Sequence, residues 1–380
     1  MIAGGQFYKR LGLTRVINAS SWVTVLGGSI MPLAVVNAME DASKWFVDMH
    51  ELNDKTGEII AKLTGAEAGL VTAGSAAGMI LQAAACITGT DSSKIDQLPD
   101  TTGLKNEIVI HRAHRVNYDH SYRIAGCQLI EIGNSRTTNE WELENAINES
   151  TAAVAYIFAP RQGGAIPLPR VAEIAHSRGV PVIVDAAAML PPPENLHRYI
   201  DMGADMVSFS GGKGVMGPQS TGILAGRRDL IEAAVMNGAP NHGIGRSAKV
   251  CKEEVAGLIT ALEMFVDADH NAIQEKWRSK CEYMMSELQA ITGLELELSE
   301  ARPELDEADR THPRVLIFFD KAWRGPSESE VVRYLMNGDP SIRVRAASYA
   351  GGIAIVPVNL MDGDEEIIVR RIMEISNVIG

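Results

Sequence analysis

Cysteine is scarce in this chain. Its 380 residues hold four, Cys86, Cys127, Cys251 and Cys281, and no two of them form a CxxC pair. A disulfide framework is thereby excluded, and the thiols read as the reduced core or near-surface cysteines of a cytosolic protein. Positive charge is also in deficit: 35 Lys and Arg stand against 48 Asp and Glu, a formal net charge of -13. An acidic chain has no general attraction for phosphate backbones or anionic lipid, so neither a nucleic-acid nor a membrane partner is expected. Long apolar runs are missing too. The most apolar stretch, around Met79 to Ile87, is too short to cross a bilayer. The opening Met1-Ile2-Ala3-Gly4-Gly5 lacks the charged-then-apolar order of a secretory leader. No internal repeat and no low-complexity tract is visible.

What remains is globular material, 46% hydrophobic, enough for a large core and for two domains. A strand near 68–73 runs into a small-residue turn, then into a helix over 79–86 that is apolar on nearly every face and therefore buried. From Cys127 strands at 128–132, 152–159, 180–184 and 205–208 alternate with helices at 140–148, 168–177 and 196–202. That order predicts an α/β fold, a mostly parallel sheet with helices on its faces and ligands at the carboxyl ends of its strands. Long helices over 252–265 and 272–291 follow a glycine-rich linker at 241–246. Strands at 294–298, 314–319, 342–346 and 353–357, with helices at 327–336 and 365–378, then suggest a smaller α/β domain.

Three features carry chemistry. Lys213 sits in Ser210-Gly211-Gly212-Lys213-Gly214, directly after a short apolar strand. Partial desolvation there lowers a lysine pKa toward the range where the amine is a nucleophile able to form a Schiff base with an aldehyde cofactor. Most lysines are merely solvated, so Lys213 gains meaning only from its company. Asp185 is that company. It closes Pro181-Val182-Ile183-Val184, too apolar a strand to leave a carboxylate without a cation or strong donors. One helix and one strand separate Asp185 from Lys213, which places both on neighbouring loops at one sheet edge. The third feature is Ser75-Ala76-Ala77-Gly78, a helix start whose free N–H groups suit a phosphate. His111, His114 and His120 also cluster, but spacings of three and six do not put them on one helical face, so no metal is expected.

In this order the three features resemble the fold-type I pyridoxal-phosphate enzymes. The local likeness is to the selenocysteine synthase (L-seryl-tRNA selenium transferase) family and its bacterial relatives, the D-glucosaminate-6-phosphate ammonia-lyases among them. It is carried by Gly203 to Lys213, by Gly217-Pro218-Gln219-Ser220-Thr221-Gly222, by Val16-Ile17-Asn18-Ala19 and by Pro357-Val358-Asn359-Leu360. The resemblance implies a large domain with a mostly parallel seven-stranded sheet at 51–248 and a linker helix at 249–275. It also implies a small α/β C-terminal domain at 276–380 with an N-terminal segment, 1–50, packing against it. It implies pyridoxal 5'-phosphate held as a Schiff base on Lys213, which also serves as acid or base at the substrate Cα. Asp185 would pair with the ring nitrogen, His114 would stack on the ring, and Ser75, Ala76 and Ser210 would bind the phosphate. Ala188 departs from relatives that carry Gln or His there. Candidates for the substrate carboxylate are Arg161, Gln162, Arg343 and Arg345. Arg246 is a candidate to reach a neighbouring subunit's site, since such enzymes are homodimers or larger.

The expected reaction is loss of a Cα proton with β-elimination from a small hydroxylated amino acid or amino sugar acid, an ammonia-lyase outcome in the cytoplasm. Aldol cleavage, racemisation and selenium transfer are alternatives, the last disfavoured by the acidic charge. A different class of alternative is a non-enzymatic binding protein on the same fold.

Overall fold

The computed structural model describes residues 5–158, 163–302, 311–348 and 351–378. The chain divides into two units. One takes in 29–268; the other takes in the residues up to Gly28 and most of the chain from Asp269 onward.

In the first unit, Val-, Ile- and Ala-rich runs form a seven-stranded sheet. In spatial order its strands are Ala68–Thr72, Gly222–Gly226, Met206–Ser210, Val182–Asp185, Thr151–Ile157, Glu107–His111 and Gln128–Ile132. Gly222–Gly226 runs antiparallel to both neighbours; every other pairing is parallel. Strands covered on both faces read as near-continuous apolar runs, and alternate residues feed two separate cores. Val182, Val184, Val207 and Phe209 join one core, while Ile183 and Met206 join the other. By the same alternation Asp185, Ser208 and Ser210 continue the Ile183 and Met206 face. The Gly74–Thr88 helix covers that face, with ten of its fifteen residues buried. Fully buried Met79 alone contributes about 1.5–3 kcal/mol through area removed from water.

Two departures from the sequence reading have local causes. Residues 29–50 belong with the large unit, not with the small domain: the Leu33–Ala42 helix packs on the Lys252–Asp267 helix, where Gly257 leaves room for Met39. Arg228–Asn237, a stretch before the 241–246 linker to which the sequence reading gave no helix, is a helix with Asp229 in its first turn and Leu230, Ile231, Ala233 and Ala234 buried.

The second unit holds a four-stranded antiparallel sheet, Arg345–Ser348, Gly351–Ile355, Arg314–Phe319 and Leu294–Ser299, with His270–Leu288 and Asp364–Ser376 as its long helices. Val16–Asn18 pairs in parallel with Ser341–Arg343. Here Asn18 and Asn359 have a structural task. Ser21 has a left-handed φ of 81, and both side-chain amides donate to its carbonyl, at 2.9 and 3.1 Å. No helix among the described residues is long and apolar enough to cross a membrane.

Candidate active site

The carboxyl ends of the central strands gather the chemistry. Asp185 ends the Val182–Asp185 strand and is level in register with Ser208 on one side and Ile157 on the other. It is 6% exposed. Its Oδ1 accepts one hydrogen bond, from the Ala187 N–H at 3.0 Å. Burial raises its pKa; the Ala187 N–H and the charge of Lys213 pull it back. Asp205, at the opposite end of the neighbouring strand pair, is equally buried but has three donors: His176 and the Val182 N–H at 2.7 Å and Arg227 at 2.9 Å. The fold therefore saturates a carboxylate where its role is structural and leaves Asp185 with capacity for another partner.

Lys213 begins the turn after Met206–Ser210. Its carbonyl accepts from the Met216 N–H at 2.9 Å, and Met216 takes a left-handed φ of 60, an uncommon cost for a residue with a side chain. Lys213 is half-buried, and its side-chain amine makes no hydrogen bond or ion pair with a described residue. Burial lowers its pKa and the Asp185 charge raises it. The two groups feel each other's field yet form no ion pair within 4 Å.

The Gly74–Thr88 helix opens beside them. Ala73, at its N-cap, provides no side-chain cap, leaving the N–H groups of Ser75 and Ala76 without intrahelical acceptors. The Ser208 hydroxyl donates to the Ser75 carbonyl at 3.2 Å and ties this helix start to the strand that leads to Lys213. Ser210, on the same face as Ser208, pairs in register with Gly222. An added Cβ at Gly222 would lie 2.5 Å from the Gly74 carbonyl carbon and 2.7 Å from the Ser75 nitrogen. Ser75, Ala76 and Ser210 thus converge on one corner whose close approach only glycine at 222 permits.

His114 is fully buried, its ring edge-on to Tyr156 at 4.4 Å between centroids and 4.8 Å from His111. Burial brings the His111 pKa down to about 4, which keeps it neutral. His120 is exposed and bonded to Arg123, apart from that pair. Arg161 and Gln162 lie outside the described residues. Arg343 bonds the Ser341 hydroxyl at 3.2 Å, and Arg345 begins the Arg345–Ser348 strand of the four-stranded sheet. Arg246 is exposed on a loop of the first unit.

Two residues the sequence reading passed over sit under Asp185. The Gln82 amide donates to the Val184 and Met206 carbonyls at 3.1 and 3.3 Å. The Tyr122 hydroxyl is buried without a partner, its pKa raised by burial and then by the Asp185 charge. The one polar residue in the Met79–Cys86 run was the visible signal for Gln82; nothing in sequence marked Tyr122.

A carboxylate with spare acceptor capacity, a lone desolvated amine and an uncapped helix start match the three reactive or charged groups of a phosphorylated pyridine aldehyde: ring nitrogen, electrophilic carbonyl carbon and phosphate. The comparisons agree. The family model described as aminotransferase class-V matches residues 105–307. The D-glucosaminate-6-phosphate ammonia lyase of Salmonella typhimurium (strain 14028s / SGSC 2262) is 33% identical over 97% of this chain and 97% of its own. The 5'-C-glycyluridine monooxygenase-decarboxylase of a Streptomyces species is 32% identical over 97% of this chain and 91% of its own. The L-seryl-tRNA(Sec) selenium transferase of Nitratidesulfovibrio vulgaris is 27% identical over 68% of this chain and 57% of its own. A solved structure of a D-glucosaminate-6-phosphate ammonia-lyase has a TM-score of 0.84 at 32% identity and covers 98% of both chains. This chain belongs to the aminotransferase class-V family.

Proposed function

We propose that this protein is a pyridoxal-phosphate-dependent lyase that removes the Cα proton of a small hydroxylated amino acid or amino sugar acid and releases ammonia. The observation that carries the reading is the single-donor carboxylate of Asp185 facing, without touching, the lone amine of Lys213. The ammonia lyase that matches this chain from end to end supports the choice of reaction and substrate class.

The bound cofactor supplies an electron sink for charge developing at Cα. Asp185 holds the proton of the ring nitrogen, and its burial makes that pairing worth more than it is in water. Ser75, Ala76 and Ser210 would hold the phosphate. Lys213 would hold the aldehyde group of the cofactor, and its amine is the group placed to accept the Cα proton. The lowered pKa of Lys213 keeps more of that amine neutral near physiological pH. The proposed ring-facing role of His114 rests on its place just after the Glu107–His111 strand.

A second reading comes from the monooxygenase-decarboxylase relative, in which the carboxylate at Cα is lost. One assay separates the two. Incubation with amino acids and amino sugar acids, phosphorylated and not, should release ammonia and a 2-oxo acid in equal amounts without taking up oxygen. Carbon dioxide release with oxygen uptake would overturn the lyase reading.

We also propose a homodimer or larger homo-oligomer in the cytoplasm. The exposed Leu33, Trp45 and Phe46 of the first unit support self-association, and the four unpaired cysteines fit a reducing compartment. Light scattering on the purified protein tests the oligomer; a monomer at micromolar concentration would refute it.

A further inference from the structure

A second cavity lies in the first unit, away from Lys213. It measures about 290 Å³, near the lower end of ligand-pocket sizes. Its walls come from the edge strand at Leu70, Val71 and Thr72, from Asn53, and from the loop that carries Arg246 and Lys249. That loop is fixed: the Gly245 N–H donates to the Asn237 carbonyl at 2.8 Å, and the Asn237 amide is bonded in turn to Thr88 and Ala233. The cations are unspent. Arg246 and Lys249 make no side-chain hydrogen bond or ion pair with a described residue. The cavity's carboxylate, Glu253, is taken by Lys252, which also donates to the Ala42 carbonyl. Asn53 gives the independent signal. It is 8% exposed and lines the cavity, yet its side-chain amide has no hydrogen bond to any described residue. An amide with no partner inside the protein keeps its donors and acceptor available to whatever fills the cavity.

We propose that this cavity binds the phosphate of a small phosphate ester through Asn53, Arg246 and Lys249. Two free cations in a chain of net charge -13 match a group carrying nearly two negative charges, where a carboxylate would be neutralised by one. The guanidinium and amide supply directed donors. The location suits a substrate with an acid at its far end. Thr72, Gly222 and Ser210 form one row across three strands, so the cavity wall stands about 10 Å from Ser210. The Thr72 hydroxyl donates to the Gly74 carbonyl at 3.0 Å, joining this wall to the helix start described above. The phosphate is either the distal group of the substrate, an assignment resting on the lyase reading, or that of a separate ester.

The test is calorimetric titration of the cofactor-loaded protein, its cofactor corner filled, with inorganic phosphate and with gluconate 6-phosphate. Saturable binding of both is expected, weakened at least about tenfold in Arg246→Met and in Asn53→Asp, with unfolding temperature and cofactor absorbance unchanged. Lack of saturable binding, or binding that survives both substitutions, would overturn the proposal. Because no turnover is measured, failure of the lyase reading does not affect this result. Inhibition by phosphate of ammonia release then identifies the source: competitive if the cavity takes the substrate's own phosphate, non-competitive if it takes a separate ester.

Discussion

Replacing Gly222 by alanine tests the phosphate corner without touching a group that reacts. The new methyl carbon would sit 2.5 Å from the Gly74 carbonyl carbon and 2.7 Å from the Ser75 nitrogen. Relaxed contacts between such atoms lie near 3.5–4.0 Å, so the helix start must retreat by roughly 1 Å, because both neighbours are backbone and neither can rotate away. Overpacking of this kind costs about 1–3 kcal/mol of stability. The retreat also pulls the Ser75 and Ala76 N–H groups off any anion they hold. Loss of one charge-assisted hydrogen bond is worth about 1.5–3 kcal/mol, which is roughly 10- to 150-fold in cofactor affinity. The assay is pyridoxal-phosphate titration of stripped protein, followed by absorbance, beside thermal unfolding. Gly163→Ala, where an added methyl meets nothing within 4 Å, is the control. Wild-type cofactor affinity in Gly222→Ala would refute the assignment of this corner to the phosphate.

Three further outcomes follow from the same geometry. The raised pKa of Asp185 means that native, cofactor-free protein binds a proton more tightly than the unfolded chain; its ionised form therefore costs stability that grows as pH rises from the ordinary carboxylate range through the raised value. Stripped Asp185→Asn should unfold at a higher temperature than stripped wild type at neutral pH, and the gap should close on acidification; a less stable variant at neutral pH contradicts this. Lys213→Ala should reduce turnover by at least about 10²–10⁴-fold, and a variant within tenfold of wild type would remove Lys213 from the proton transfer. Asn359→Ala removes one of the amides that hold the Ser21 carbonyl and should cost about 1–3 kcal/mol in denaturant unfolding, whereas an unchanged midpoint would show that Asn18 suffices.

Asp185 and Lys213 were legible because parallel strands announce themselves as apolar runs, and a charge placed straight after such a run has few structural uses. Ser75 was legible as a helix start, though the helix begins at Gly74 rather than at Met79. Its first turn opens on Gly and Ser, residues that by propensity also suit a turn. The Arg228–Asn237 helix escaped because its buried stripe is short, Leu230, Ile231, Ala233 and Ala234, and it stands directly before a glycine-rich linker. Tyr122 and Gln82 escaped for a deeper reason. Their relation to Asp185 exists only across the interface between helix and sheet, which sequence order does not display. The cavity at Asn53 and Arg246 is of the same kind, drawing its walls from segments nearly two hundred positions apart in the chain.

The central claim is that one amine and one under-satisfied carboxylate share a pyridoxal-phosphate ring at this sheet edge. Borohydride reduction of the cofactor-loaded protein, followed by proteolysis and mass spectrometry of the peptides, tests it most directly. The phosphopyridoxyl group should appear on the peptide containing Lys213 and on no other. Its absence, or its recovery on a different lysine, would contradict the account.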